Sequence, residues 1–193
     1  MERNHEYVGN GKKWACIFML AIVMLFLGSA SVLYAGDGMS MNTEAKIEKI
    51  SKYYARGTDA ALNEGGRDVA IEWISKGFKD DCTFTFYFPD GSMWDQMDSI
   101  EDYVDNFVLP VLSAYRFSFH AVSNLLVNKV DGNTAKLHTY GVATLIGADK
   151  SQDVVFTFYV DDVIRENGVW KSYKRDCYIL GFDKFVPDVS FTQ

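Results

Sequence analysis

Residues 117–180 read FSFHAVSNLLVNKVDGNTAKLHTYGVATLIGADKSQDVVFTFYVDDVIRENGVWKSYKRDCYIL, and they set the architecture of the chain. Four runs rich in β-branched and aromatic residues, 117–130, 134–146, 154–164 and 169–180, predict long strands. The breaks between them, Asp131-Gly132-Asn133, residues 147–152 and Glu166-Asn167-Gly168, are turn-forming, so the strands follow one another as antiparallel hairpins. The residues before this meander are mostly helical. Asn42 and Glu44 open a helix in which Ile47, Ile50, Tyr54, Thr58, Ala61 and Leu62 recur at helical spacing, ending near Asn63-Glu64-Gly65-Gly66. A second helix, 68–76, carries Val69, Ile71, Trp73 and Ile74 and stops at Gly77. Residues 83–88 (TFTFYF) form a strand closed by Pro89-Asp90-Gly91. A third helix opens at Asp98 with Glu101 in capping-box position, buries Ile100, Tyr103, Val104, Phe107 and Val108, and ends at Pro110. Helices followed by hairpin-connected strands predict an α+β fold, not a doubly wound parallel sheet. The order suits a cone, in which a curved sheet wraps the long first helix and leaves an apolar cavity at its open end.

Residues 1–35 read as a secretory signal: Arg3, Lys12 and Lys13 precede an unbroken apolar run, 14–27, and small residues follow before Ala35-Gly36-Asp37. The competing reading is an uncleaved anchor, because residues 14–35 carry no charge and are long enough to span a bilayer. The expected organisation is a signal over 1–35, a flexible leader over 36–43, one domain over 44–185 and a tail over 186–193. Export to a periplasmic or extracellular compartment follows, with membrane contact only through an uncleaved signal. Cys82 and Cys177 remain beyond the leader, and the sequence leaves open whether they pair or are simply buried.

With 48% hydrophobic and 15% aromatic residues the chain has ample material for a packed core. Its formal charge of -7 provides no basic field for phosphate backbones, which argues against a nucleic-acid partner. There is no His-Glu-x-x-His pair, no Cys-x-x-Cys, no Gly-x-Ser-x-Gly elbow and no phosphate-cradling glycine loop. No cofactor and no metal are expected. The partner expected is a small hydrophobic molecule.

Two residues stand out for chemistry. Asp59 lies in the first helix at the edge of its apolar stripe, where it either faces the cavity or faces solvent near the helix end. His120 sits among apolar residues of the first long strand, as a core or surface histidine or as a base. His138 alternates with Tyr140 and Val142 on the next strand. Tyr54, Phe86 and Trp94 belong to an aromatic set that would line a core, a pocket, or both.

Five segments together resemble the SnoaL-like branch of the NTF2-like superfamily: Tyr54-Ala-Arg-Gly-Thr-Asp59, residues 78–91 (FKDDCTFTFYFPDG), His120-Ala-Val-Ser-Asn124, Val130-Asp-Gly-Asn-Thr-Ala135 and Glu166-Asn-Gly-Val-Trp-Lys171. The resemblance spans about residues 44 to 181. It implies the cone-shaped fold, and it implies that Asp59 orients His120, which removes a proton from substrate as in the dehydratase and dehydrochlorinase members. It further implies a ligand pocket to which Tyr54, Phe86, Trp94, Asn124 and His138 contribute, and a homodimer or homotrimer. Thr58 stands where the scytalone dehydratase type has a water-positioning Tyr, and the segment from Asp59 to Asp81 is longer than in the dehydrochlorinase type, so neither specific reaction carries over.

Three classes of function follow. A cofactor-free lyase or isomerase would use the Asp59-His120 pair beside an open cavity. A ligand carrier would hold a small molecule without turning it over. A structural or oligomerising module would have its cone filled by its own side chains.

Overall fold

The computed structural model describes residues 41–129 and 131–185. The segments expected to be the signal, the first part of the leader and the C-terminal tail lie outside the described residues. Helix α1 (Met41–Asn63) takes in residues 41–43, read above as leader, and is followed by α2 (Arg67–Ser75). The strands are β1 (Phe78–Tyr87), β2 (Met93–Met97), β3 (Tyr115–Lys129), β4 (Thr134–Gly147), β5 (Gln152–Glu166) and β6 (Val169–Phe185). Between β2 and β3 a helical segment, α3 (100–112), begins as an α-helix over Ile100–Tyr103, widens to a π turn at Val104–Val108 and returns to α at Leu109–Leu112.

All six strands form one curved, unclosed sheet in the order β2-β1-β6-β5-β4-β3. Every neighbour pair is antiparallel except β1 with β6, which is parallel. The fold is α+β, as the element order predicts. The β5–β6 hairpin turns on Asn167 and Gly168, with φ of 51° and 82°, between the paired residues Glu166 and Val169. Two consecutive left-handed residues are what the tight hairpin turn requires, and Asn-Gly supplies them at least strain.

α1 packs on the concave face of the sheet. Ile47, Ile50, Tyr54, Thr58 and Ala61 are buried along one stripe, and the sheet meets them with Leu137, Tyr159, Val163 and Ile179. At Gly57 an added Cβ would stand 2.5 Å from Ile74 Cγ1 and 2.9 Å from the Ala70 carbonyl oxygen. Only the missing side chain lets α1 and α2 approach that closely.

Four local expectations need correction. The first strand starts at Phe78, not Thr83, because Phe78, Cys82 and Phe84 already point into the core. Strand β2 is an addition: its sequence MWDQM lacks alternation and is exposed except for Met97. The cap of α3 is shifted by one residue. The Ser99 hydroxyl accepts the Asp102 N–H at 3.0 Å while Asp102 Oδ2 accepts the Asp98 N–H at 3.0 Å, so Ser99 and Asp102 replace the expected Asp98 and Glu101. Finally, Pro110 does not end the helix. The π turn before it shifts the hydrogen-bond register, with the Leu109 N–H reaching the Val104 carbonyl, and the ring is accommodated near the start of the final turn.

A candidate active site at the open end of the cone

β3 is an edge strand, and its free edge is covered by side chains of α1. Asn63 Nδ2 donates to the Ser118 carbonyl at 2.9 Å, and the Ser118 N–H donates to Asn63 Oδ1 at 3.3 Å. One turn earlier on the same helix face, Asp59 Oδ2 accepts the His120 backbone N–H at 3.0 Å. Asp59 and Asn63 therefore stand in for a neighbouring strand, satisfying backbone groups that an edge would leave exposed.

The same carboxylate holds the imidazole. Asp59 Oδ1 lies 2.7 Å from His120 Nδ1 and also accepts the Ser118 hydroxyl at 3.1 Å. Both side chains are largely buried, 12% exposed for His120 and 14% for Asp59. An ionised carboxylate can only accept, so the contact places a proton on Nδ1, and in the neutral ring Nε2 keeps its lone pair.

His120 borders a cavity of about 450 Å³, a size suited to a small organic molecule. Asp59 does not line it. The carboxylate sits behind the ring, on the side of a shallow outer groove formed with Asn63, Phe117 and Phe119. The cavity walls are largely apolar and aromatic, with Phe86, Trp94, Phe107, Val111, Leu145 and Val155 among them. Phe86 and Phe107 stack at 4.1 Å, and Trp94 stands edge-on to Phe107 at 5.3 Å. Because this space is open, the expectation for a purely structural module, a cone plugged by its own side chains, is not met.

Of the other residues expected to bind a ligand, Tyr54, Phe86 and Trp94 line the cavity. Asn124 and His138 do not. Asn124 is exposed at a β-bulge in β3, with φ of 49°. His138 sits on the outer face of β4, out of phase with the buried Leu137 and Thr139, against Phe158 at 5.7 Å.

Several groups at the site were not anticipated. The Tyr103 hydroxyl donates to the Tyr54 hydroxyl at 2.8 Å and lies 3.4 Å from Thr58 Oγ1. Burial pushes Tyr103 up to about 12 and holds Tyr54 and Tyr159 well above the ordinary phenol range, so all three remain hydrogen-bond donors. Nearer the rim, the Tyr115 hydroxyl donates to Asp153 Oδ2 at 2.6 Å, and both residues line the cavity. Tyr115 is pushed up to about 12, first by burial and then by that hydrogen bond and the carboxylate's charge.

Beneath Tyr54 lies a fully buried ion pair. Arg175 Nε and Nη2 donate to Asp161 Oδ1 and Oδ2 at 2.8 and 2.7 Å, and Nη2 also reaches Ser51 Oγ at 3.1 Å. The guanidinium is enclosed by the rings of Tyr54, Tyr159 and Phe78, at 4.1, 4.6 and 4.8 Å. Burial opposes its charge, but the Asp161 carboxylate outweighs burial and holds its pKa above the ordinary range. In the sequence, Asp161 and Arg175 sit in charged clusters, 161–162 and 174–176, and are not among the residues singled out above. The signal that would have found them is phase: Asp161 shares period two with Tyr159 and Val163, and Arg175 with Cys177 and Ile179.

Cys82 and Cys177 are both free and buried. Cys177 is paired in register with Phe86, four residues beyond Cys82 on β1. Among the described residues no cluster of three or more His, Cys, Asp or Glu could hold a metal ion, and no helix is long and apolar enough to cross a membrane.

The model of the SnoaL-like domain family matches residues 39–176. No curated protein matches the chain. Among solved structures, a candidate aromatic ring hydroxylase from Novosphingobium aromaticivorans superposes with a TM-score of 0.62 at 18% identity, covering 77% of this chain and 96% of that one. Hexachlorocyclohexane dehydrochlorinase LinA-type3 from Novosphingobium barchaimii gives 0.61 at 16% identity, covering 79% and 96%. A candidate scytalone dehydratase from N. aromaticivorans gives 0.58 at 17% identity, covering 76% and 89%. At these identities the structural likeness speaks for the fold. The family match over most of the chain establishes membership: this chain belongs to the SnoaL-like domain family.

Proposed function

We propose that this SnoaL-like protein is a cofactor-free lyase or isomerase in which His120 Nε2 removes a proton from a small hydrophobic molecule held in the aromatic cavity. The observation that carries the reading is the 2.7 Å contact between Asp59 Oδ1 and His120 Nδ1 behind a ring that borders open apolar space. A carboxylate behind an imidazole fixes the tautomer and stabilises the imidazolium that forms when the other nitrogen takes a proton. The burial of both side chains strengthens that pairing. The proton would leave a carbon next to an activating group, with loss of a leaving group or migration of a double bond following. Dehydrochlorinase and dehydratase structures of the same shape support this class of reaction.

The test is solvent deuterium incorporation, followed by NMR, at the carbon beside the carbonyl of small aryl ketones. Exchange above buffer is expected for the wild type, and His120→Ala is expected to reduce it by about 10²-fold or more while circular dichroism stays native. Exchange that is insensitive to His120→Ala would overturn the reading. We further propose that the domain acts outside the cytoplasm, on the strength of the signal-like composition of residues 1–35.

A further inference from the structure

The cavity is apolar in its walls but not neutral in its charge. Among the described residues that line it, the ionisable side chains that can carry full charge are Asp153, Asp183 and His120, and there is no Lys or Arg. No Lys or Arg whose side chain is described pairs with Asp153; the Tyr115 hydroxyl occupies its Oδ2. A second polar residue, Thr157, also lines the cavity and is only 4% exposed, with its hydroxyl beside that of Tyr159. A polar atom on an occupant would have that pair of hydroxyls as partners.

Charge and shape point to one ligand chemistry. A carboxylate held beside aromatic walls attracts an organic cation by Coulomb interaction and by contact with ring faces, and it repels a carboxylate-bearing ligand. The -7 formal charge of the chain acts in the same direction at longer range. We propose that the site selects hydrophobic amines: molecules with an aryl or alkyl body seated against Phe86, Trp94 and Phe107 and a protonated amino group on Asp153. The proposal rests on the reading of this cavity as the substrate site, but not on His120 acting as a base.

Calorimetric titration with three probes of equal length, 3-phenylpropylamine, 3-phenylpropan-1-ol and 3-phenylpropanoate, tests it. The full chain is expected to bind the amine about tenfold more tightly than the alcohol, with the carboxylate weakest. Lys184 stands opposite Asp153 in the β5–β6 register. Asp153→Asn is expected to bring amine and alcohol within about threefold of each other. Tyr115→Phe, which removes the competing donor, is expected to keep or raise the preference for amine. A carboxylate that binds as well as the amine, a preference that survives Asp153→Asn or vanishes in Tyr115→Phe, or no amine binding at about 10 mM would each overturn the proposal. His120→Ala separates the two readings: the amine preference is expected to survive in this variant whether or not proton transfer depends on His120.

Discussion

Asp59 grips His120 at two points, the ring nitrogen Nδ1 at 2.7 Å through Oδ1 and the backbone N–H at 3.0 Å through Oδ2. One carboxylate thus sets both the orientation of the imidazole and the position of the strand that carries it. Rotation of the ring and displacement of β3 from α1 are resisted by the same group.

Asp59→Asn and Asp59→Ala should therefore differ. The amide of Asn can still accept the His120 N–H, whereas Ala leaves that N–H and the Ser118 hydroxyl without an acceptor, at an expected cost of about 1–3 kcal/mol measured by urea denaturation. Both variants should lose proton-transfer activity. In the His120→Ala background, adding Asp59→Asn should cost almost nothing further in rate, because the two residues act as a unit. A full additive loss in the double variant would separate their roles.

The buried pair below Tyr54 gives a stability prediction. Asp161→Asn or Arg175→Met alone strands one buried charge or its partner and should lower stability by about 3–5 kcal/mol. The double variant should recover much of that loss. Midpoints of urea unfolding for the two single variants and the double variant form the cycle that decides it.

Gly141 on β4 tests the packing of the cavity wall. A Cβ at this position would stand 2.6 Å from Thr157 Oγ1 and 2.6 Å from Tyr159 Cε2, both of which line the cavity. Gly141→Ala should destabilise the fold by about 1–3 kcal/mol and weaken ligand binding through displacement of Tyr159. Gly181→Ala, where nothing stands within 4 Å, is the control.

The two thiols predict an alkaline limb in stability. Burial pushes Cys82 and Cys177 well above the ordinary thiol range. In the unfolded chain each thiol ionises near its ordinary pKa of about 8.5, so above that pH the unfolded state holds fewer protons than the folded one and stability falls. Below it, the thiols contribute no pH dependence. Unfolding midpoints from about pH 7 to pH 10 should decline only in the upper part of that range, and Cys82→Ala with Cys177→Ala should flatten the decline. Neither thiol should react with a disulfide reagent until the protein unfolds.

The proposed export makes a direct prediction as well. If residues 1–35 are a cleaved signal, as proposed, the mass of the chain recovered from the producing cell should match a start after Ala35. Recovery of the intact chain in the membrane fraction would favour the anchor instead.

How far the sequence led depends on what each element is for. Strands β3 to β6 and helix α1 were legible because their burial is regular: Ile47, Ile50 and Tyr54 recur at helical spacing, and Leu137, Thr139 and Gly141 at every second residue. β2 escaped because its residues are exposed and carry no alternation, and the helix through Pro110 escaped because a π turn has no pattern of its own. The proximity of Asp59 and His120, 61 residues apart, was available only through the family resemblance, since a helical wheel places a residue on a face without naming its opposite. Tyr115 and Asp153 were invisible for the same reason. Each sits at a strand end, where local pattern is weakest and the sheet's curvature determines which side chains meet.

The parallel seam between β1 and β6 joins the first strand of the described residues to the last. A chain emerging in order from its N-terminus has no neighbour for that side of β1 until residues 169–185 arrive, and Arg175, the counter-ion of Asp161, arrives with them. Completion of the sheet thereby waits until the end of synthesis, since long-range pairing of this kind can be made only when both partners are present. Such a strand order keeps the sheet open until the last of its members is in reach, and the proposed export, which requires an unravelled chain, would be compatible with it.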